Sequence, residues 1–261
     1  MKIFDSHCHL DDRSFTRDFD DVLNRARSAG VTAMMIAGIG VKQARRAVAL
    51  AEKYPNLYAA VGVHPHDSQV CSEADLNALV KMAGHPKVRA WGEIGLDFNR
   101  NYSPRIDQER WFLAQLERSQ QLDLPVIFHE RDTGGRFLEL LRAHWPVGRQ
   151  GVVHCFSGTT VELDQYVQLG LFIGITGIVT MQKRGKRLRE MVVDIPEEHL
   201  LVETDAPYLT PAPHKNRTRR NEPAFVKEVL KTVAEMRRQS QEEMAAASWN
   251  NTCRLFGINP V

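Results

Sequence analysis

The chain has only four cysteines, Cys8, Cys71, Cys155 and Cys253, and no two of them form a CxxC pair. That scatter argues for reduced thiols in a cytosolic protein over disulfides. No apolar run approaches the roughly 20 residues needed to cross a bilayer, so no membrane span is expected. The opening MKIFDSHCHL has no stretch resembling the apolar core of a signal peptide. Charge of one sign is scarce in excess: 34 Lys and Arg against 32 Asp and Glu leave a net charge of +2. Overall charge therefore makes no case for a nucleic-acid partner, and any basic feature has to be local. No glycine-rich phosphate fingerprint follows the first strand-like run, which speaks against an open dinucleotide-binding sheet. Linkers, internal repeats and low-complexity segments are lacking too.

What is present is alternation. Apolar, β-branched runs alternate with amphipathic segments along almost all of the 261 residues, of which 43% are hydrophobic. After a first strand at Ile3 and Phe4, strands are expected at 32–37, 57–63, 88–94, 125–129, 151–154, 171–175 and 199–205. Helices are expected between them at 19–29, 42–53, 72–82, 104–121, 137–144, 161–169 and 186–192, with two more at 223–238 and 241–256. Ser72 and Asp75 have the spacing of a capping box. Eight strands alternating with helices predict parallel βαβ units closed into a (β/α)8 TIM barrel. The expected organisation is one domain over 1–261 with extra C-terminal helices.

The strand-like runs share a peculiarity at their ends. The first runs into Asp5-Ser6-His7-Cys8-His9, where alternation of side chains puts His7 and His9 on one face and Cys8 on the other. Later runs stop at His64, Glu93, His129, His154 and Glu203-Thr204-Asp205. In a barrel the C-terminal strand ends converge on one mouth, so His7, His9, Glu93, His129, His154 and Asp205 meet there. Three or more imidazoles with two carboxylates suit divalent ions, with Glu93 as a bridge. Each residue alone reads as plainly as a core histidine or a capping carboxylate; the recurrence is what carries the metal reading. Asp5 and Glu203 share the parity of their neighbours, Asp5 for a buried structural role. Cys155 is expected to point outward.

The motifs HCHL, GVHPH, GEIGLDF, HER, HCFSG, ETDAPYL and RRNEP, in that order, closely resemble those of the TatD-type metal-dependent hydrolases. These belong to the amidohydrolase-like barrels and include magnesium-dependent deoxyribonucleases. The resemblance covers essentially the whole chain. It implies that His7 and His9 ligate one metal, that Glu93 bridges, and that His129 and His154 ligate the second. Asp205 becomes both a ligand and the base for the attacking water. His64 lies near the substrate phosphate, and Glu203 either assists proton transfer or orients a ligand. The implied cofactors are two divalent ions, magnesium in function with zinc or manganese as alternatives. No lysine closes any strand where relatives of this barrel class place a carboxylated bridging lysine, which favours phosphodiester over amide chemistry.

Basic stretches follow the seventh and eighth strands: Lys183, Arg184, Lys186, Arg187 and Arg189, then His214, Lys215, Arg217, Arg219 and Arg220. On the catalytic face they would hold phosphates without regard to sequence. Arg131, Arg219 and Arg220 are the candidate substrate contacts, and Tyr208, Phe98 and Tyr102 are candidates to stack on unpaired bases. The plainer alternative is a solvated rim with loop-packing aromatics. The sequence thus predicts a cytosolic, monomeric hydrolase trimming single-stranded DNA from its 3′ end. A metal-dependent ester or amide hydrolase, for example an aminoacyl-tRNA deacylase, stays open, as does a non-catalytic metal or nucleic-acid binding protein.

Overall fold

The computed structural model describes residues 1–212 and 214–259, so the last two residues of the expected domain fall outside it. Its strands are β1 Ile3–Cys8, β2 Val31–Ala37, β3 Leu57–Val61, β4 Val88–Asp97, β5 Val126–Arg131, β6 Gly151–Val153, β7 Phe172–Ile175 and β8 Leu200–Val202. The helices are α1 Phe19–Ser28, α2 Val41–Lys53, α3 Glu73–Ala83, α4 Arg105–Gln121, α5 Arg136–His144, α6 Thr160–Gln168, α7 Lys186–Met191, α8 Val226–Arg237 and α9 Gln241–Phe256. The strands pair in parallel, each with its sequence neighbour, in the order β1 to β8. A TIM barrel results. Its seam is held by irregular contacts, not a regular ladder: Asp205 N–H donates to the His7 carbonyl at 2.9 Å and His9 N–H to the Ala206 carbonyl at 2.7 Å. Asp5 clips the same seam. It is fully buried, and its carboxylate accepts from Thr204 N–H and hydroxyl at 2.8 and 2.6 Å.

The apolar periodicity of each helix has a clear destination. One face of the helical layer covers the outer side of the sheet in a large core that includes Val22, Ala44, Leu76, Phe112, Phe137 and Leu163. Caps set several helix starts: Ser72, Thr159 and Ser240 each form a capping box with the acid three residues on, satisfying first-turn N–H groups. Inside the barrel a second core takes side chains from every strand, Phe4, Met35, Ala60, Ala90, Ile127, Val152, Phe172 and Leu201 among them. Leu255 and Phe256 from α9, with the following Ile258, close its lower end.

Two strands break the simple alternation. Phe4 faces the barrel interior, yet Cys8, four residues on, belongs to the outer core. The register of β1 against β2 shifts between Asp5 and Cys8, and that shift is what turns His7 inward. A second shift, between Trp91 and Ile94, interrupts β4, whose flanking Trp91 and Ile94 both pack outward. Strand β4 also runs three residues beyond its expected end, because Gly95, Leu96 and Asp97 stay paired with His129, Glu130 and Arg131 of β5.

Candidate metal centre

Glu93 sits at the hub, 2 % exposed, and its two carboxylate oxygens face different partners. Oε2 lies 3.4 Å from His7 Nε2 and 3.8 Å from His9 Nε2. Asp205 Oδ1 closes that side, 3.7 and 3.2 Å from the same two nitrogens. Oε1 lies 2.8 Å from His129 Nδ1, 3.4 Å from His154 Nε2 and 3.5 Å from His64 Nε2. Two atoms held about 2.1 Å from one ion stand roughly 3.0–3.4 Å apart. The His7 and His9 Nε2 atoms, 3.3 Å apart, match that spacing. His7, His9 and Glu93 form one set of donors within 4.8 Å of one another, and Glu93, His129 and His154 form another. The residues therefore fit divalent cations on both sides of one shared carboxylate.

Behind the imidazoles stand hydrogen-bond acceptors that fix their rings. Glu203, 1 % exposed, accepts at Oε1 from His154 Nδ1 at 2.9 Å and from Cys155 N–H at 2.6 Å, while Oε2 faces the Ser6 hydroxyl at 3.2 Å. Asp97 does the same on the other side, with Oδ2 3.3 Å from His129 Nε2 and 2.7 Å from His66 Nε2. His9 Nδ1 reaches the Ala37 carbonyl at 3.2 Å. A carboxylate or carbonyl behind a ligating imidazole sets its tautomer and raises its basicity. Two glycines make this possible. A Cβ on Gly174 would stand 2.5 Å from Glu203 Oε2, and one on Gly95, at φ +149°, would meet the His129 carbonyl at 1.9 Å.

The charges are strongly coupled. Burial opposes ionisation of Glu93, but His154, His64 and His7 around it prevail and hold its carboxyl well below the usual range. Burial likewise works against the His9 and His129 imidazolium forms, yet Asp205 beside His9 and Asp97 with Glu93 beside His129 lift both to about 9. His64 goes the other way: burial and the neighbouring His129 push it down to about 4. Its Nδ1 accepts the His66 N–H at 3.1 Å, so its proton sits on Nε2, the atom facing Glu93.

All seven histidine and carboxylate residues expected at the mouth, His7, His9, His64, Glu93, His129, His154 and Asp205, converge there. Most line a cavity of about 760 Å³, as do Arg131 and the half-exposed Tyr208. Four other expectations need correction. Arg220 is turned to the side of the barrel, where Asp18 binds its guanidinium at 2.8 and 2.6 Å and Phe15 lies beneath it. Arg219 is exposed and does not line the cavity. Phe98 is buried under the Arg105 guanidinium, so it offers no face to a base. Cys155 does not point away: β6 ends at Val153, the backbone reverses at Cys155 with φ +51°, and the residue lines the cavity. Residues without an expected role also appear. Asp97 and His66 support His129, and Arg100 supplies a cavity cation beside Arg184, which was expected from the basic stretch after β7. Asp97 was hidden because the residues after Ile94 read as loop; only their pairing with β5 shows that they continue the strand.

Comparison with known proteins identifies the family. Residues 4–257 match the family described as TatD related DNase. A protein of Escherichia fergusonii named 3′-5′ ssDNA/RNA exonuclease TatD is 42% identical over 259 residues, covering 98% of this chain and 100% of its own. The crystal structure of a TatD homologue from Escherichia coli K12 superposes with a TM-score of 0.91 at 35% identity, over 98% of both chains. A TatD family hydrolase from Entamoeba histolytica gives 0.89 at 26% identity over 99% of both. With an inward-facing histidine pair, a shared glutamate and the barrel that presents them, the chain belongs to the TatD-related DNase family.

Proposed function

We propose that this protein is a divalent-metal-dependent 3′-5′ exonuclease of single-stranded nucleic acid, DNA in the first place. The observation that carries the proposal is the division of the Glu93 oxygens between two groups of imidazoles at the floor of an arginine-rimmed cavity. His7, His9 and Asp205 with Glu93 would hold one cation, and His129 and His154 with Glu93 a second. Magnesium is the functional ion in this reading, although so many imidazoles would also accept manganese or zinc. Such ions polarise a phosphoryl oxygen and lower the pKa of water, the two things phosphodiester hydrolysis needs.

The chain's own residues supply the rest. In this reading Asp205, at the open edge of the centre, accepts the proton of the attacking water. Neutral His64 presents Nε2–H to the cavity and donates to a phosphate oxygen. Glu203 and Asp97 hold His154 and His129 in place, so we read Glu203 as a positioning residue. Arg100, Arg131 and Arg184 screen the phosphates, and Tyr208 and Tyr102, both about half exposed at the rim, offer faces to unpaired bases. The donor set is complete within one chain, so the proposed chemistry requires no second copy. Four unpaired cysteines support a reducing compartment, the cytosol. Among the described residues no helix is long and apolar enough to cross a membrane.

The test uses metal-stripped protein given magnesium, manganese or zinc in turn, with single-stranded DNA labelled at its 5′ end. A ladder of shortening products that is absent in Asp205→Asn is expected. If no ion restores cleavage while carboxyl esters are turned over, the nuclease reading is wrong.

A further inference from the structure

Two smaller clefts open from opposite sides of the central cavity, and they are not alike. One, of about 550 Å³, shares Glu130, Arg131, Ser157 and Arg184 with the centre and continues to Arg187 and the start of α6. The other, of about 270 Å³, shares His9, Ile39 and Tyr208 and is lined further by Asp11, Asp12, Arg13, Lys42 and Arg46. Each carries cations, so cations alone do not distinguish them. The carboxylates do.

In the larger cleft every acid is occupied locally. Glu130 accepts from the Thr133 N–H and hydroxyl at 3.2 and 2.8 Å, Glu162 from Thr159 N–H at 2.7 Å, and Asp132 from the Asn99 amide at 2.6 Å. Among the described residues Arg131, Arg184 and Arg187 have no ion-pair partner, and all three line the cleft. In the smaller cleft Asp11, 9 % exposed, has a buried Oδ1 with no hydrogen-bond partner among the described residues. A buried acceptor left open costs stability unless something donates to it. A phosphate set directly against that oxygen would be opposed by it even with Arg13, Lys42 and Arg46 in the same cleft, whereas a hydroxyl would satisfy it.

Building on the exonuclease reading, we infer that the strand crosses the mouth with a fixed polarity. The 3′-terminal nucleoside enters the Asp11 cleft, and the 5′ part of the chain runs along Arg131, Arg184 and Arg187. In this placement Asp11 accepts a hydrogen bond from the terminal 3′-hydroxyl. The smaller cleft has room for about one nucleoside, and the larger for the next nucleotides, which suits removal of one unit at a time from the end.

Binding of 5′-fluorescein single-stranded oligonucleotides, followed by anisotropy in EDTA across a salt series, tests the direction. Each phosphate contact contributes about −0.7 to the slope of log K against log salt on a single strand. Arg187→Ala should lower the slope magnitude by about 0.7 for a dodecamer and leave a dinucleotide's slope nearly where it was. Arg46→Ala should affect the two lengths alike. A length-dependent loss in Arg46→Ala instead of Arg187→Ala would reverse the polarity and overturn the inference. The end contact has its own readout. The wild type should favour a 3′-hydroxyl over a 3′-phosphate terminus, and Asp11→Asn should narrow that preference in kcat/KM. Equal preference in both proteins removes Asp11 from the role. Because binding is measured without cleavage, failure of the polarity is separable from failure of the nuclease reading, which the cleavage ladder reports.

Discussion

The two ends of this barrel are built from the same eight strands and have opposite characters. At the lower end the strands contribute Phe4, Met35, Ile127, Val152, Phe172 and Leu201 to an apolar plug, sealed by Leu255 and Phe256. A few residues further along the same strands, the interior holds Glu93, Glu203, Asp97 and five imidazoles, nearly all of them buried. Burying that much charge works against folding. The apolar end offsets it, since each large side chain removed from water contributes about 1.5–3 kcal/mol. The division teaches that stability and chemistry are set at different ends of each strand. Substitutions should then separate cleanly into those that unfold the protein and those that silence it.

The largest effect should come from the hub of the polar end. Glu93→Gln keeps the shape but halves the oxygens that both groups of donors share, and an activity loss of about 1000-fold or more is expected. Circular dichroism and urea midpoint should stay near the wild type. Retained metal-dependent cleavage would show that Glu93 does not join the two sides. At the opposite end, Phe4→Ala opens a cavity in the inner core and should cost about 3–5 kcal/mol by urea denaturation. Its folded fraction should cleave at the wild-type rate per active site. A variant that is stable but inactive there would break the division between the ends.

Intermediate effects are expected one layer behind the donors. Asp97→Asn and Glu203→Gln each leave an imidazole without its carboxylate and should lower activity about 10- to 100-fold, mostly through weaker metal binding. Higher metal concentration should recover much of the loss. If Glu203→Gln instead loses kcat at saturating metal, Glu203 moves protons and is more than a positioning residue.

Most of the fold was legible because it is periodic: the eight strands, their helices, and the polar residues at the strand ends all follow from local alternation. Five histidines and two carboxylates could be assembled from that pattern and the barrel's geometry. What escaped was set by events that alternation does not encode. The register shifts in β1 and β4 decide which way His7 and Glu93 turn, and the reversal at Cys155 undoes its parity. Asp97 became visible only through its β5 partner. Basic side chains were the least legible, because a charge run shows that cations are near the mouth and not which carboxylate has already claimed them.

Arg220 makes that point measurable. It belongs to the basic stretch after β8, yet Asp18 and the Ser14 carbonyl hold its guanidinium away from the cavity. Arg220→Ala should therefore cost stability, roughly 0.5–1 kcal/mol for a partly exposed pair, and leave KM for single-stranded DNA unchanged. The pH dependence carries a sign. Hydrogen bonding to Arg220 holds the Asp18 carboxyl down at about 2, from an ordinary 3.8. A carboxyl lowered on folding stabilises the native state above its unfolded value, and that contribution fades as pH falls from 3.8 through about 2. The stability gap between wild type and Arg220→Ala should thus be full near neutrality and shrink below pH 4. A gap that is flat with pH, joined to a raised KM, would return Arg220 to the substrate path and place the loop after β8 on the working end of the barrel.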